Sequence, residues 1–152
     1  MRIWKSWLSV ITLTVIAFVS CKKEPDQSCS SCPVGGVTTE PVGFTYSKNG
    51  GSDIHADSAF FNSSFRTITS YYHGIATRVN IKTSSQAPGT YTLTSSVNTL
   101  SYSETSFTYM ASGGCVTISD NANNKISGNF VSNGGGGGIT SLTGRFKDVP
   151  RK

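Results

Sequence analysis

Four groupings of side chains have types and spacing suited to chemistry: Cys29-Ser30-Ser31-Cys32, His55 with Asp57, His73 with Glu104, and the run Gly134 to Gly138. A Cys-x-x-Cys pair cycles between dithiol and disulfide when a helix amino terminus lowers the pKa of its first thiol. Pro25, Pro33 and Pro41 keep the surrounding segment from becoming helix, and no βαβ pattern flanks the pair. The expectation is therefore a structural or incidental local disulfide between Cys29 and Cys32. Zinc needs four ligands, and the cysteines and the two histidines stand at scattered spacing, so no metal is expected. His55 and Asp57 are two apart and would share one face of an extended strand. With His73 and Glu104 they are the candidate acid–base pairs. No Gly-x-Ser-x-Gly or metalloprotease pattern accompanies them, and a wet strand face is expected to be polar, so no catalytic residue is assigned. A phosphate-cradling loop would need a following Lys and Ser or Thr opening a helix. Ile139-Thr140-Ser141-Leu142 reads instead as strand. The glycine run is expected to be a mobile connection with much backbone entropy to lose, and no cofactor is expected.

The segment that positions these groups relative to the cell is the amino-terminal one. Arg2 and Lys5 lead into the twelve apolar or small uncharged residues Leu8 to Val19. That run is shorter than the roughly 17 to 25 residues that span a bilayer, and it fits the apolar core of an export signal. It closes on Phe18-Val19-Ser20-Cys21 and resembles a bacterial lipoprotein signal, with Phe18 where such signals usually carry Leu. The resemblance implies cleavage before Cys21, a diacylglyceryl group on its thiol, and a mature chain attached to the membrane through acyl chains. Each buried CH₂ contributes about 0.8 kcal/mol, so two or three chains make attachment effectively permanent. Lys22, Lys23, Glu24 and Asp26 follow at once. This cluster resembles the export tag of some Bacteroidota lipoproteins, which implies an outer-membrane location with the cell surface favoured over the periplasmic face. With Cys21 acylated three thiols remain, an odd number, so one stays free or pairs between molecules.

The formal charge of +5 falls to +3 once Arg2 and Lys5 are removed, and residues 37–150 hold seven Lys or Arg against six Asp or Glu. So balanced a domain has no basic stripe to track a phosphate backbone, and nucleic acid is not an expected partner. The organisation expected is a signal peptide at 1–20, the lipidated Cys and a flexible Ser-, Pro- and Gly-rich tether at 21–42, a β-domain at 43–150 and a tail at 151–152.

From Gly43 onward, short apolar alternations are separated by Gly, Asn and Ser turns, the pattern of an all-β domain. In the clearest strand, Ile75 to Lys82, one face carries Ile75, Thr77, Val79 and Ile81, and the other Ala76, Arg78, Asn80 and Lys82. Similar segments run through residues 44–46, 54–61, 65–72, 91–93, 99–102, 107–111, 115–119, 125–131 and 139–146. Asn49-Gly50-Gly51 and Pro88-Gly89 supply reversals, and residues 120–124 read as the loop between late meander strands. The fold class is all-β, an antiparallel β-sandwich or flattened barrel of about ten short strands.

On such a scaffold Tyr71-Tyr72-His73, with Tyr91, Tyr102 and Tyr109, are candidate ligand contacts, because flat rings stack on apolar ligand faces while hydroxyls orient them. Tyr71 and Tyr72 must point to opposite faces, and the alternation Phe107, Tyr109, Ala111 places that strand's rings in the core. Asp57-Ser58-Ala59 resembles the O-glycosylation acceptor tripeptide of some Bacteroidota envelope proteins, with the sugar on Ser58. Ser58 shares strand parity with Ile54 and Phe60 and is expected to be buried.

The motifs Phe44-Thr45-Tyr46, Gly50-Gly51, Ala56-Asp57-Ser58-Ala59, Gly89-Thr90-Tyr91, Val116-Thr117-Ile118, Lys125 to Phe130 and Gly144 to Pro150, in this order, resemble a small β-rich domain of uncharacterised function found in Bacteroidota envelope lipoproteins. The resemblance covers roughly residues 43 to 150 and implies location and fold without catalytic residues. The expected function is a structural or protein-interaction role for a lipid-anchored β-domain. A surface carbohydrate- or peptide-binding module is the alternative, and an envelope enzyme or thiol-redox protein comes last.

Overall fold

The computed structural model describes residues 41–152. Ten strands follow in order: β1 (Gly43–Lys48), β2 (Ile54–His55), β3 (Ser58–Asn62), β4 (Thr67–Tyr72), β5 (Thr77–Lys82), β6 (Gly89–Thr92), β7 (Thr99–Glu104), β8 (Phe107–Ala122), β9 (Lys125–Gly136) and β10 (Ile139–Pro150). All pair antiparallel in one sheet of order β2-β1-β10-β9-β8-β7-β5-β4-β3, with β6 added to β8. The all-β expectation holds, and its architecture is a single curled sheet, a half-barrel, with the core on its concave side.

Alternation sets the two faces of the sheet. Val79 and Ile81 of β5 are fully buried while Arg78 and Lys82 are exposed, so each strand turns one row of side chains inward. Inside, Phe44 packs on Phe130 and Phe146 with ring centroids 5.7 and 6.3 Å apart, and Ile81, Leu100, Ile118, Ile126 and Leu142 fill the remaining space. Burying each such side chain stabilises the domain by about 1.5–3 kcal/mol.

Several segments differ from their sequence-based limits. Residues 54–61 split: β2 pairs with β1, and β3 pairs with β4. Ile75, placed on a strand face by its parity, is 87% exposed in the turn between β4 and β5, where His73 and Gly74 have positive φ. Residues 107–111 and 115–119 belong to one 16-residue strand, β8, whose register shifts between Ala111 and Gly113. That bulge inverts the side-chain parity. Tyr109 and Ala111 face the core before it, and Val116 and Ile118 after it. The loop expected at 120–124 shrinks to Asn123-Asn124, both at positive φ, as a two-residue hairpin turn requires.

The glycine run is the largest correction. Gly134, Gly135 and Gly136 are the end of β9, and only Gly137 and Gly138 form the turn. A Cβ at Gly134 or Gly136 would strike the β8 backbone, at the Met110 and Thr108 carbonyls respectively. These glycines thus permit close strand approach and are held by pairing.

The sheet's far edge is drawn back toward its beginning at the carboxy end. Arg151 bridges to Phe61 of β3, the Lys152 amide donates to the Phe61 carbonyl at 2.9 Å, and the Arg151 amide donates to the Asn124 carbonyl at 2.8 Å. The two charged residues read as a tail are part of this closure.

Candidate functional site

The inward-facing polar side chains gather at one end of the half-barrel. Lys48 closes β1, Glu104 closes β7 and Thr77 opens β5, so three elements far apart in sequence deliver their side chains to one place. The Lys48 ammonium donates to Glu104 Oε1 at 3.0 Å and to the Tyr102 hydroxyl at 3.2 Å, and lies 5.2 Å from the Tyr102 ring centroid. The Tyr102 hydroxyl also donates to Glu104 Oε1. Tyr46 packs beside it, ring centroids 5.7 Å apart, and its buried hydroxyl has no hydrogen-bond partner among the described residues.

The electrostatics follow from this geometry. The Tyr102 hydroxyl and then the Lys48 ammonium stabilise the Glu104 carboxylate and hold its pKa below the ordinary value. Burial, then the hydrogen bond and charge of Glu104, push the Tyr102 hydroxyl far up. Burial, then neighbouring Tyr102, does the same to Tyr46. Side chains of Lys48 and Glu104 are 33% and 32% accessible, so the pair marks the mouth of the core. A carboxylate kept ionised, with one oxygen accepting from both an ammonium and a phenol, is a poor proton acceptor. The trio is suited to clamping β1 against β7 rather than to acid–base turnover.

The histidine pairs do not assemble. His55 Nδ1 lies 3.1 Å from Thr45 Oγ1 on the outer face, while Asp57 falls between β2 and β3 and accepts the Gly74 amide at 3.3 Å. His73 sits in the β4–β5 turn against Tyr72, ring centroids 4.0 Å apart, and Glu104 is engaged by Lys48 and Tyr102. The aromatic platform also divides. Tyr71 faces outward beside Phe60 at 6.1 Å, with the Lys152 ammonium 4.5 Å from the Phe60 centroid. Tyr72 takes the opposite face, and Tyr102 and Tyr109 are buried. Ser58 is exposed, contrary to its expected burial, because the break after His55 separates its parity from that of Ile54.

Sequence reasoning missed Lys48 as a site residue. Its only signal was a lone basic residue ending an inward-facing row with Phe44 and Tyr46. Cys21, Cys29 and Cys32 lie outside the described residues. Cys115 is disulfide-bonded. Among the described residues no group of three or more His, Cys, Asp or Glu is placed to hold a metal ion, and no helix is long and apolar enough to cross a membrane.

Residues 54–150 match a domain of unknown function, DUF6252. The chain belongs to the DUF6252 family. No curated protein and no solved structure matches it. The DUF6252 match begins at β2 and so omits β1, although β1 pairs with β10 over six residues and contributes Phe44, Tyr46 and Lys48 to the core and the clamp.

Proposed function

We propose that this DUF6252 protein is a lipid-anchored lipoprotein of the outer membrane, of the kind found in Bacteroidota, whose half-barrel serves a non-catalytic structural or protein-interaction role. Its anchor is acylated Cys21, its spacer is residues 22–42, and display at the cell surface is favoured by the charged residues after Cys21. The observation that carries the non-catalytic part is the clamp. Lys48, Glu104 and Tyr102, which gather at the mouth of the core, are bound to one another. The twelve-residue apolar segment ending just before Ser20 and Cys21 supports the anchor. The test is metabolic labelling with a fatty-acid analogue combined with in-cell crosslinking. Label lost in Cys21→Ser, and a crosslinked envelope protein recovered with the wild type, are the expected results. An unlabelled wild-type protein refutes the anchor.

One observation favours a second reading, a surface carbohydrate- or peptide-binding module: the outward ring pair Phe60–Tyr71, partly exposed beside Arg78 and Ser58 on neighbouring positions. Exposed Ser58 also remains the place for an O-linked sugar. A glycan array with the soluble domain distinguishes the readings, since binding that Tyr71→Ala abolishes supports the module.

A further inference from the structure

The outward faces of β3, β4, β5 and β7 carry positive charge without a carboxylate to balance it. Glu104 is the only acidic residue in these four strands, and it belongs to the inward row with Tyr102, where Lys48 and Tyr102 engage it. Arg78 and Lys82 alternate with buried Val79 and Ile81, so both stand outward and exposed. Neither makes an ion pair with a described residue. Tyr71 of β4 lies directly opposite Arg78 and turns its ring outward beside Phe60 of β3, centroids 6.1 Å apart. From the outer edge of β3, where its amide is bonded to the Phe61 carbonyl, Lys152 brings its ammonium to 4.5 Å from the Phe60 centroid. Tyr71 thus has a cation on the strand to one side and another at the edge of the strand to the other. A third, Lys82, lies four residues from Arg78 on the same face of β5, about 14 Å along the strand. Asn80 stands between these two, with Ser101 opposite it and Ser103 opposite Arg78.

We propose that this face binds an acidic polysaccharide whose sugar units carry carboxylates. The proposal rests on the binding-module reading above and names its ligand class. The flat ring of Tyr71 stacks on the C–H face of a pyranose. The planar guanidinium of Arg78 takes that unit's carboxylate through two parallel N–H···O bonds, a geometry an ammonium cannot match. Lys152 and Lys82 meet the carboxylates of units further along the chain, and Asn80, Ser101 and Ser103 offer donors and acceptors to its hydroxyls. A peptide suits the face less well. Strand addition needs an open sheet edge, whereas β4 and β5 are paired on both sides and Arg151 already bridges to Phe61 on β3.

The test is calorimetric titration of the full chain, in detergent, with hexamers of galacturonic acid and of mannuronic acid and with the methyl ester of each. At least one acid hexamer is expected to bind about tenfold tighter than its ester, and to weaken as salt rises, because exposed charges are screened. Arg78→Gln and Tyr71→Ala should each weaken that binding by about tenfold. Arg78→Lys keeps the charge and loses the planar fork, so it should also bind more weakly than the wild type. Acid hexamers that bind no tighter than their esters overturn the acidic class and leave the binding-module reading standing. No binding of any hexamer, with nothing retained on the glycan array, overturns both. Affinity for the acid hexamers that is unchanged in Tyr71→Ala and equalled by a polyphosphate chain overturns sugar recognition, since charge alone then accounts for the binding.

Discussion

Raising the pH should unfold this domain before its buried tyrosines ionise. Tyr46, Tyr102 and Tyr109 are each 1% exposed or less, and burial pushes all three hydroxyls above their ordinary value. In the unfolded chain a tyrosine releases its proton near pH 10. A group whose folded pKa is raised contributes stability in full below the unfolded pKa, and that contribution is lost as pH climbs from there toward the folded one. At about pH 11 the unfolded state gains about 1.4 kcal/mol for each tyrosine that cannot ionise in the fold. Tyr46 and Tyr102 together thus remove about 3 kcal/mol, and Tyr109 adds in the same direction, against a total of about 5–15 kcal/mol for a typical domain. The assay pairs denaturant titrations at about pH 8 and about pH 11 with ultraviolet detection of tyrosinate. The chain has six tyrosines. Tyr46, Tyr102 and Tyr109 are expected to ionise only as the protein unfolds. Ionisation of these three before any loss of structure, with no drop in stability, refutes the reasoning.

Other parts of the fold make three further outcomes measurable. Glu104→Gln should cost about 1–2 kcal/mol near neutral pH, a figure discounted because the pair is partly exposed. The wild type's advantage should fade as acid protonates Glu104, since a depressed pKa stabilises in full only above the unfolded value; denaturant titrations of both proteins at neutral and acid pH measure it. Gly136→Ala, which drives a Cβ into the Thr108 carbonyl at φ 141°, should destabilise by about 3 kcal/mol or more, visible as a lowered Tm. A fragment of residues 54–150 should fail to give a cooperative unfolding transition, whereas residues 41–152 should give one, because only the longer piece contains β1 and the Arg151–Lys152 closure.

Local pattern carried the strands well. The alternation of Val79 and Ile81 with Arg78 and Lys82 reads directly as a half-buried strand because its period is a property of the backbone. What pattern missed depends on neighbours distant in sequence. Gly134 to Gly136 look like slack until β8 is beside them. His55 and Asp57 share a face only if the chain runs straight, and the demands of β1 and β4 as pairing partners break it between them. Lys48 and Glu104 are 56 residues apart, and nothing in either segment announces the other. Their meeting is a product of curvature, which hydropathy does not encode.

The pairing of β1 with β10 also sets the order in which the domain can be completed. Of the ten strands β1 is made first and β10 last, yet they are hydrogen-bonded neighbours. Until residues 139–152 have emerged, β1 has only the two-residue β2 beside it, and so small a ribbon is marginal in water. A nascent chain therefore keeps β1 waiting while β3, β4, β5, β7, β8 and β9, neighbours along the sheet, can already pair. Its first and last segments then lock together within one event.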